Sequence, residues 1–443
     1  MKHLFKTALA PAIILLSLLF VAPAMAQTMS FAQKLLASDG SASDNFGGSV
    51  GLDGNTIVIG ARNNGYYRGA AYVFTRSGGV WTEQQKLTAN DAAAWDLFGE
   101  SVSMDGDTMV ISARHDDDNG PASGSAYVFT RSDGVWTEQQ KLTTSDAAEN
   151  DNFGYSVALD GDTAVIGSIY ASAYVFTRSG GIWTEQQKLV SSDGEDLFDF
   201  KVAVDGDTAV ICAYGSDDDT LGSGAAFVFT RSGDVWTEQQ RLTPTDDAHF
   251  HLFCDSVDLD ADTAVIGAPG DGDTGSAYVF TRSGDVWTEQ QKLTASDGEA
   301  ADNFGRSVAV RENGVLIGSS GHDPNYAGKA YLFNRSAGVW TEKQKFTAGE
   351  GGDLFGRSVD VDDGVVVIGA TLDDDLGEYS GSAYIFAQRT LLGVFFCFPT
   401  CEPFGRFGCD NVVFRCYLLP VVVVIFPIII IWSFWFFRRR QRS

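Results

Sequence analysis

Residues 153–189 read FGYSVALDGDTAVIGSIYASAYVFTRSGGIWTEQQKL. Four short runs, FGYSVALD, TAVIGS, SAYVFTR and IWTEQQKL, are separated by turn chemistry. Asp160-Gly161-Asp162 joins the first two, and Asp-Gly is a strong hairpin signal because both central turn residues need positive φ. Ser179-Gly180-Gly181 joins the last two in the same way. The second run is almost wholly apolar, as expected of a strand covered on both faces. One such stretch is a four-stranded antiparallel unit.

The unit repeats along most of the chain. Its Phe anchor falls at Phe46, Phe98, Phe153, Phe198, Phe253, Phe304 and Phe355, at intervals of 45 to 55 residues. That period is too long for a helical hairpin repeat and fits the blade of a β-propeller. The phrase WTEQQKL starts at Trp81, Trp136, Trp183 and Trp287, with WTEQQRL at Trp236 and WTEKQKF at Trp340, so one copy is missing. Unit seven leaves after Phe386 without a fourth strand, whereas SFAQKLLASDG near the N-terminus carries the QKL ending. The N-terminal segment is therefore expected to complete blade seven and close an all-β, seven-bladed ring without open edges. The heptapeptide becomes the outermost strand, its Gln, Glu and Lys suited to an edge facing water. Its Trp recurs identically, which predicts packing between blades rather than contact with a ligand.

Alternating strand direction puts the DGDT-type and RSGG-type hairpins, which vary little, on one face of the ring. The loops between the second and third strands fall on the other, together with the blade-to-blade connections, and there the sequence varies. That face carries Asp116, Asp117, Asp118, Asp217, Asp218, Asp219, Asp271, Asp273, Asp373, Asp374 and Asp375, with Tyr66, Tyr67, Tyr326 and Tyr379. Variable loops on a constant scaffold are where binding residues concentrate, so these are the candidate ligand contacts. Tyrosine offers contact area and carboxylates select cations or basic groups. Freely drifting turn sequence is the competing reading. The pairs Asp39/Asp44, Asp91/Asp96, Asp146/Asp151 and Asp297/Asp302 in the connections read first as turn-capping residues.

The pattern DNFGxSVAxDGDTAVIGA, then GxAYVFTRS, then WTEQQKL resembles the FG-GAP repeat across residues 31–386. This is the unit of the propeller at the head of integrin α subunits, and the match is to its compact bacterial-type variant. The resemblance implies ligand recognition or adhesion, although a fold does not by itself fix a function. Integrin-type repeats often carry a calcium loop before the GAP segment. Here only the tight DGDT turn stands there, with too few oxygen ligands, so no cofactor is assigned and Ca²⁺ is left to the acidic loops.

The two ends read differently from the middle. Residues 1–26 have a basic start, an apolar run and an Ala24-Met25-Ala26 cleavage pattern, the signature of a secretory signal. Residues 27–386 form the propeller and 387–416 a juxtamembrane stalk. Residues 417–437 hold no charge and would span about 31 Å as a helix, and 438–443 are a basic tail. The positive-inside bias then places the propeller outside the cell or on the outer or periplasmic side of a bacterium, as a single-pass type I protein. Cys397, Cys401, Cys409 and Cys416 cluster before the span and read as two disulfides with three possible connectivities. Cys212 and Cys254 replace repeat glycines in adjacent blades, which leaves a further disulfide open.

The net charge of −27 argues against nucleic acid as a partner. No HExxH or P-loop pattern occurs. The sequence thus points to a cell-surface binding or adhesion protein that is not an enzyme, with an extracellular protein or carbohydrate as ligand and the variable face turned away from the membrane. The alternatives are a propeller hydrolase or lyase, and a structural surface coat.

Overall fold

A computed structural model describes residues 28–169, 172–192, 201–213, 224–246, 252–321, 327–348, 353–388, 393–401 and 412–420. The chain divides into two units, residues 1–388 and 389–443. In the first there are seven four-stranded antiparallel sheets, six of which run in chain order from an inner to an outer strand. Blade two is typical: Val102–Asp105, Thr108–Ala113, Ser125–Ser132 and Val135–Leu142. Inner strands of successive blades are neighbours all the way round, and the seventh meets the first.

Blade seven takes Phe355–Asp362, Val365–Ala370 and Ser382–Gln388 from the end of the repeat region and its outer strand, Met29–Leu35, from the beginning. The strand Met29–Leu35 pairs antiparallel with Ser382–Gln388, Leu35 opposite Ala383. The missing heptapeptide is thus MSFAQKL, and blade seven runs two residues past the boundary expected at 386.

The core lies between blades. Between blades one and two, Val58, Ala71 and Val73 pack against Met109, Ile111, Phe129 and the fully buried Trp136. The anchor Phe98 sits edge-on to Tyr127 and Phe129, at 5.6 and 6.0 Å between ring centres. Six of the seven second strands are buried at every residue, as in Thr108–Ala113. Blades approach so closely that a Cβ on Gly60 would stand 2.1 Å from the Gly99 carbonyl oxygen. At the corresponding contact of blades four and five, Cys212 and Cys254 form a disulfide with Cα atoms 5.2 Å apart.

The heptapeptide is a tie rather than a wetted edge, which corrects the reading of its polar residues. A bulge leaves one residue of the outer strand, Gln139 in blade two, without a partner between Glu138 and Gln140. The bulge inverts the alternation of side chains midway along the strand. Trp and Glu therefore face the preceding blade, while the second Gln and the Leu face the following one. Gln85 takes a hydrogen bond from the Trp136 backbone N–H and donates one to its carbonyl, at 2.9 and 2.8 Å. The same clasp joins Gln33 to Trp81, Gln140 to Trp183, Gln187 to Trp236, Gln240 to Trp287 and Gln291 to Trp340. Gln344 clasps Met29 in the Trp position and closes the circle. Glu83, Glu138, Glu185, Glu238, Glu289 and Glu342 accept backbone N–H bonds from the connection entering their own blade.

In the second unit, Gly393–Cys401 pairs antiparallel with Val412–Pro420, placing Cys397 opposite Cys416 and Cys401 opposite Val412. The expected membrane helix over 417–437 is not present as written. Its first four residues end a strand rich in β-branched and aromatic residues, and the remainder lies outside the described residues, as does Cys409. Among the described residues no helix is long and apolar enough to cross a membrane. The expected signal segment, 1–26, also lies outside them.

Candidate recognition face

Five of the loops between the second and third strands end on a glycine that bridges to the anchor Phe of the next blade: Gly69 to Phe98, Gly124 to Phe153, Gly275 to Phe304, Gly328 to Phe355 and Gly381 to Phe46. Loop and connection therefore form one continuous surface. Within each connection the second Asp of the pair caps a turn, with Ser41 N–H on Asp44, Ala93 on Asp96, Ala148 on Asp151 and Glu299 on Asp302, at 2.6 to 2.8 Å. The first Asp does something else. Asp39, Asp91, Asp146 and Asp297 each accept from the third-strand Tyr of the blade they enter and from its heptapeptide Lys.

Several acidic loop candidates are absorbed by the same device. Asp116, Asp271 and Asp373 are buried, at 3%, 7% and 2% exposure, so they are struts of the scaffold and not surface contacts. Asp116 accepts from Tyr127 and Lys141, Asp271 from Tyr278 with Lys292 alongside, and Asp373 from Tyr384 with Lys34 alongside. Asp118 and Asp375 are exposed but also paired, with Lys141 and Lys34 at 2.6 Å. Burial works against the charge on Lys141, yet its hydrogen bonds to Asp116, Asp118 and Asp91 outweigh that and raise its pKa. Asp91, Asp116 and Asp118 are close enough together to share a metal ion. The Lys141 ammonium stands within 2.7 Å of all three, where a cation would sit.

Asp117, Asp273, Asp374 and Tyr379 are exposed, and Asp374 takes the Tyr379 backbone N–H at 2.8 Å. Asp217, Asp218, Asp219 and Tyr326 lie outside the described residues.

What the structure does bring together is aromatic. Tyr67 stacks on Trp95 with ring centres 4.3 Å apart and planes 9° from parallel, and Tyr66 meets Trp95 edge-on at 5.8 Å. Tyr66 is 72% exposed and Trp95 53%, whereas the six heptapeptide tryptophans are at most 3% exposed. The cluster bridges the loop of blade one and the connection into blade two. Gly65, Tyr66 and Tyr67 form a left-handed turn with φ of 62°, 69° and 63°, and Trp95 has φ of 81°. For L-residues this region costs about 1–2 kcal/mol each.

The repeat itself demands the Trp95 conformation, because Ser43, Asn150 and Ala301, also three residues before their Phe, share it at 68°, 69° and 66°. Small or amide side chains answer that demand elsewhere. A bulky indole here is a departure with an energetic cost. Beside Tyr66 and Tyr67 lies a groove of about 520 Å³ whose polar walls include Asp39, Asn63 and Lys86. Sequence reasoning missed Trp95, although it is the one propeller tryptophan outside the heptapeptide.

A closed ring of seven four-stranded blades, with a uniform scaffold and one diverse loop face, is a β-propeller. The FG-GAP repeat model matches residues 29–74, 81–129, 136–181, 183–229, 236–280, 287–333 and 340–386, and the chain belongs to that family. No curated protein matches the chain.

Proposed function

We propose that the protein binds an extracellular ligand through the loop face of its propeller, with Tyr66, Tyr67 and Trp95 at the centre of contact. The observation that carries this reading is an exposed aromatic cluster held on strained backbone, in a repeat that elsewhere places Ser, Asn or Ala at the same point. Strain of this kind is kept where it serves a site. Of the two ligand classes, protein and carbohydrate, carbohydrate fits better. A pyranose ring has an apolar C–H face that stacks on an indole or phenol, and hydroxyls that bond to the amides and carboxylates of the adjoining groove.

The secretory start and the apolar, arginine-flanked end of the sequence support display at a cell surface. The test is a glycan array probed with the full chain and with Trp95→Asn, which installs the residue found at position 150. Wild type is expected to retain a defined set of glycans that the variant loses, with the variant's melting temperature equal or higher. Retention of the same set by the variant would remove the aromatic cluster from the site.

A further inference from the structure

The seven inner strands enclose an axial cavity of about 570 Å³ at the loop end of the ring, and its charge is opposite to that of the chain. Among the described residues five cations line it, Arg62, Arg114, Lys201, Arg306 and Arg357, against two carboxylates, Glu100 and Asp255. The whole chain carries −27. Both carboxylates are already engaged. Arg62 Nη1 holds the two Glu100 oxygens at 2.7 and 3.0 Å, and Arg306 Nη1 holds both Asp255 oxygens at 2.7 Å. Arg114 Nε lies 3.5 Å from Glu100 but is buried without a hydrogen bond.

Lys201 and Arg357 have no carboxylate within ion-pair distance among the described residues. Lys201 Nζ stands 4.4 Å from the centre of the Tyr155 ring. Burial pushes the Lys201 pKa down, and burial with the nearby Arg306 and Arg62 brings Arg357 down to about 10. Enclosed cations without a directly paired carboxylate are costly to fold around.

The scaffold does not require them. The position of Arg357 is Gly48 in blade one and Tyr155 in blade three. Lys201 stands where the other six blades have Ser49, Ser101, Ser156, Ser256, Ser307 and Ser358. Four of those hydroxyls donate to the next blade's Phe-Gly carbonyl: Ser49 to Gly99, Ser256 to Gly305, Ser307 to Gly356 and Ser358 to Gly47, at 2.8 to 2.9 Å. Blade four gives up that tie to place an ammonium in the cavity.

We infer that the axial cavity is a second binding site, separate from the aromatic cluster, for a small ligand bearing two or more oxyanion charges, held chiefly by Lys201 and Arg357. Guanidinium and ammonium groups in an enclosed site make the strong, charge-assisted hydrogen bonds that carboxylate and phosphate oxygens accept.

Calorimetric titration of the full chain with citrate and with pyrophosphate, against glucose as a neutral control, tests it. Saturable one-to-one binding of an anion but not of glucose is expected. Citrate alone binding identifies a carboxylate ligand, pyrophosphate alone a phosphate ligand, and both a site selecting on charge. Lys201→Ser restores the repeat's own residue, so it should fold at least as well and weaken anion binding about tenfold. Glu100→Gln releases Arg62 and Arg114 and should tighten it. Trp95→Asn should leave it unchanged. Absence of saturable binding at millimolar anion, or equal affinity in Lys201→Ser and wild type, would overturn the assignment.

Discussion

Trp95 and Asp360 show how one residue can depart from the repeat for opposite reasons. Trp95 accepts a left-handed backbone and an exposed indole, and its replacement by Asn should remove ligand binding without loss of stability. Asp360 lies on the channel wall, where it accepts the Leu52 N–H at 2.7 Å. Burial, reinforced by Asp258, raises its pKa to about 7, and burial raises Asp258 to about 6. Because the folded state holds these protons more tightly than the unfolded chain, their stabilising contribution is complete below the ordinary Asp value. It is lost as pH rises from there through about 6 to 7. Asp39, Asp91, Asp146, Asp297 and Asp373 have depressed values, so their contribution is lost as pH falls below the ordinary Asp value. Chemical denaturation across pH should show a maximum near the ordinary Asp value, at about pH 4. Asp360→Asn should raise stability at pH 7 by about 1–3 kcal/mol and flatten the alkaline limb. The acidic loops were legible as a class, but which carboxylate is buried under a lysine is decided by the neighbouring blade, and no local pattern reports it. Trp95 carried a readable signal, a lone tryptophan outside its motif, that was masked by the six identical ones.

The outer strand is the element on which the ring depends. Its bulge lets seven residues address two neighbours, Trp and Glu one way and Gln and Leu the other. Gln140→Ala removes both bonds of one clasp and leaves the Trp183 backbone N–H and carbonyl without this partner. The expected cost is about 1–3 kcal/mol in equilibrium unfolding. Gln139→Ala, at the exposed bulge itself, removes one surface hydrogen bond to the Gly181 carbonyl and should cost well under half as much. A loss at Gln140 no larger than at Gln139 would show that the clasps do not hold the blades together. The strand's existence and outer position follow from alternation and turn chemistry in the sequence. Its role as a tie does not, because a bulge inverts the very alternation from which facing is read. The same limit applies to 417–420, where apolar content suits a helix in a bilayer and a β-branched strand equally well.

At the scale of the molecule, closure by residues 29–35 and the Cys212–Cys254 link lock the ring at two separate boundaries. The disulfide closes a 42-residue separation, so Cys212→Ser with Cys254→Ser should lower unfolding free energy by about 3–4 kcal/mol, measured against the oxidised wild type. The architecture was legible because seven copies in register constrain one another, and even the permuted seventh blade could be located from the three letters QKL. The cationic axial cavity was not legible, since its residues come from different blades and meet only when the ring closes.

The central claim is that the uniform strands build the ring and the blade-one and blade-two loops recognise the ligand. Trp95 is the only exposed tryptophan among the described residues, so acrylamide quenching of the full chain reads it selectively against the Trp95→Asn baseline. With a saturating glycan identified on the array, the quenchable fluorescence of wild type should fall to that of Trp95→Asn. A glycan that binds wild type fully and leaves Trp95 as open to acrylamide as before would contradict the account.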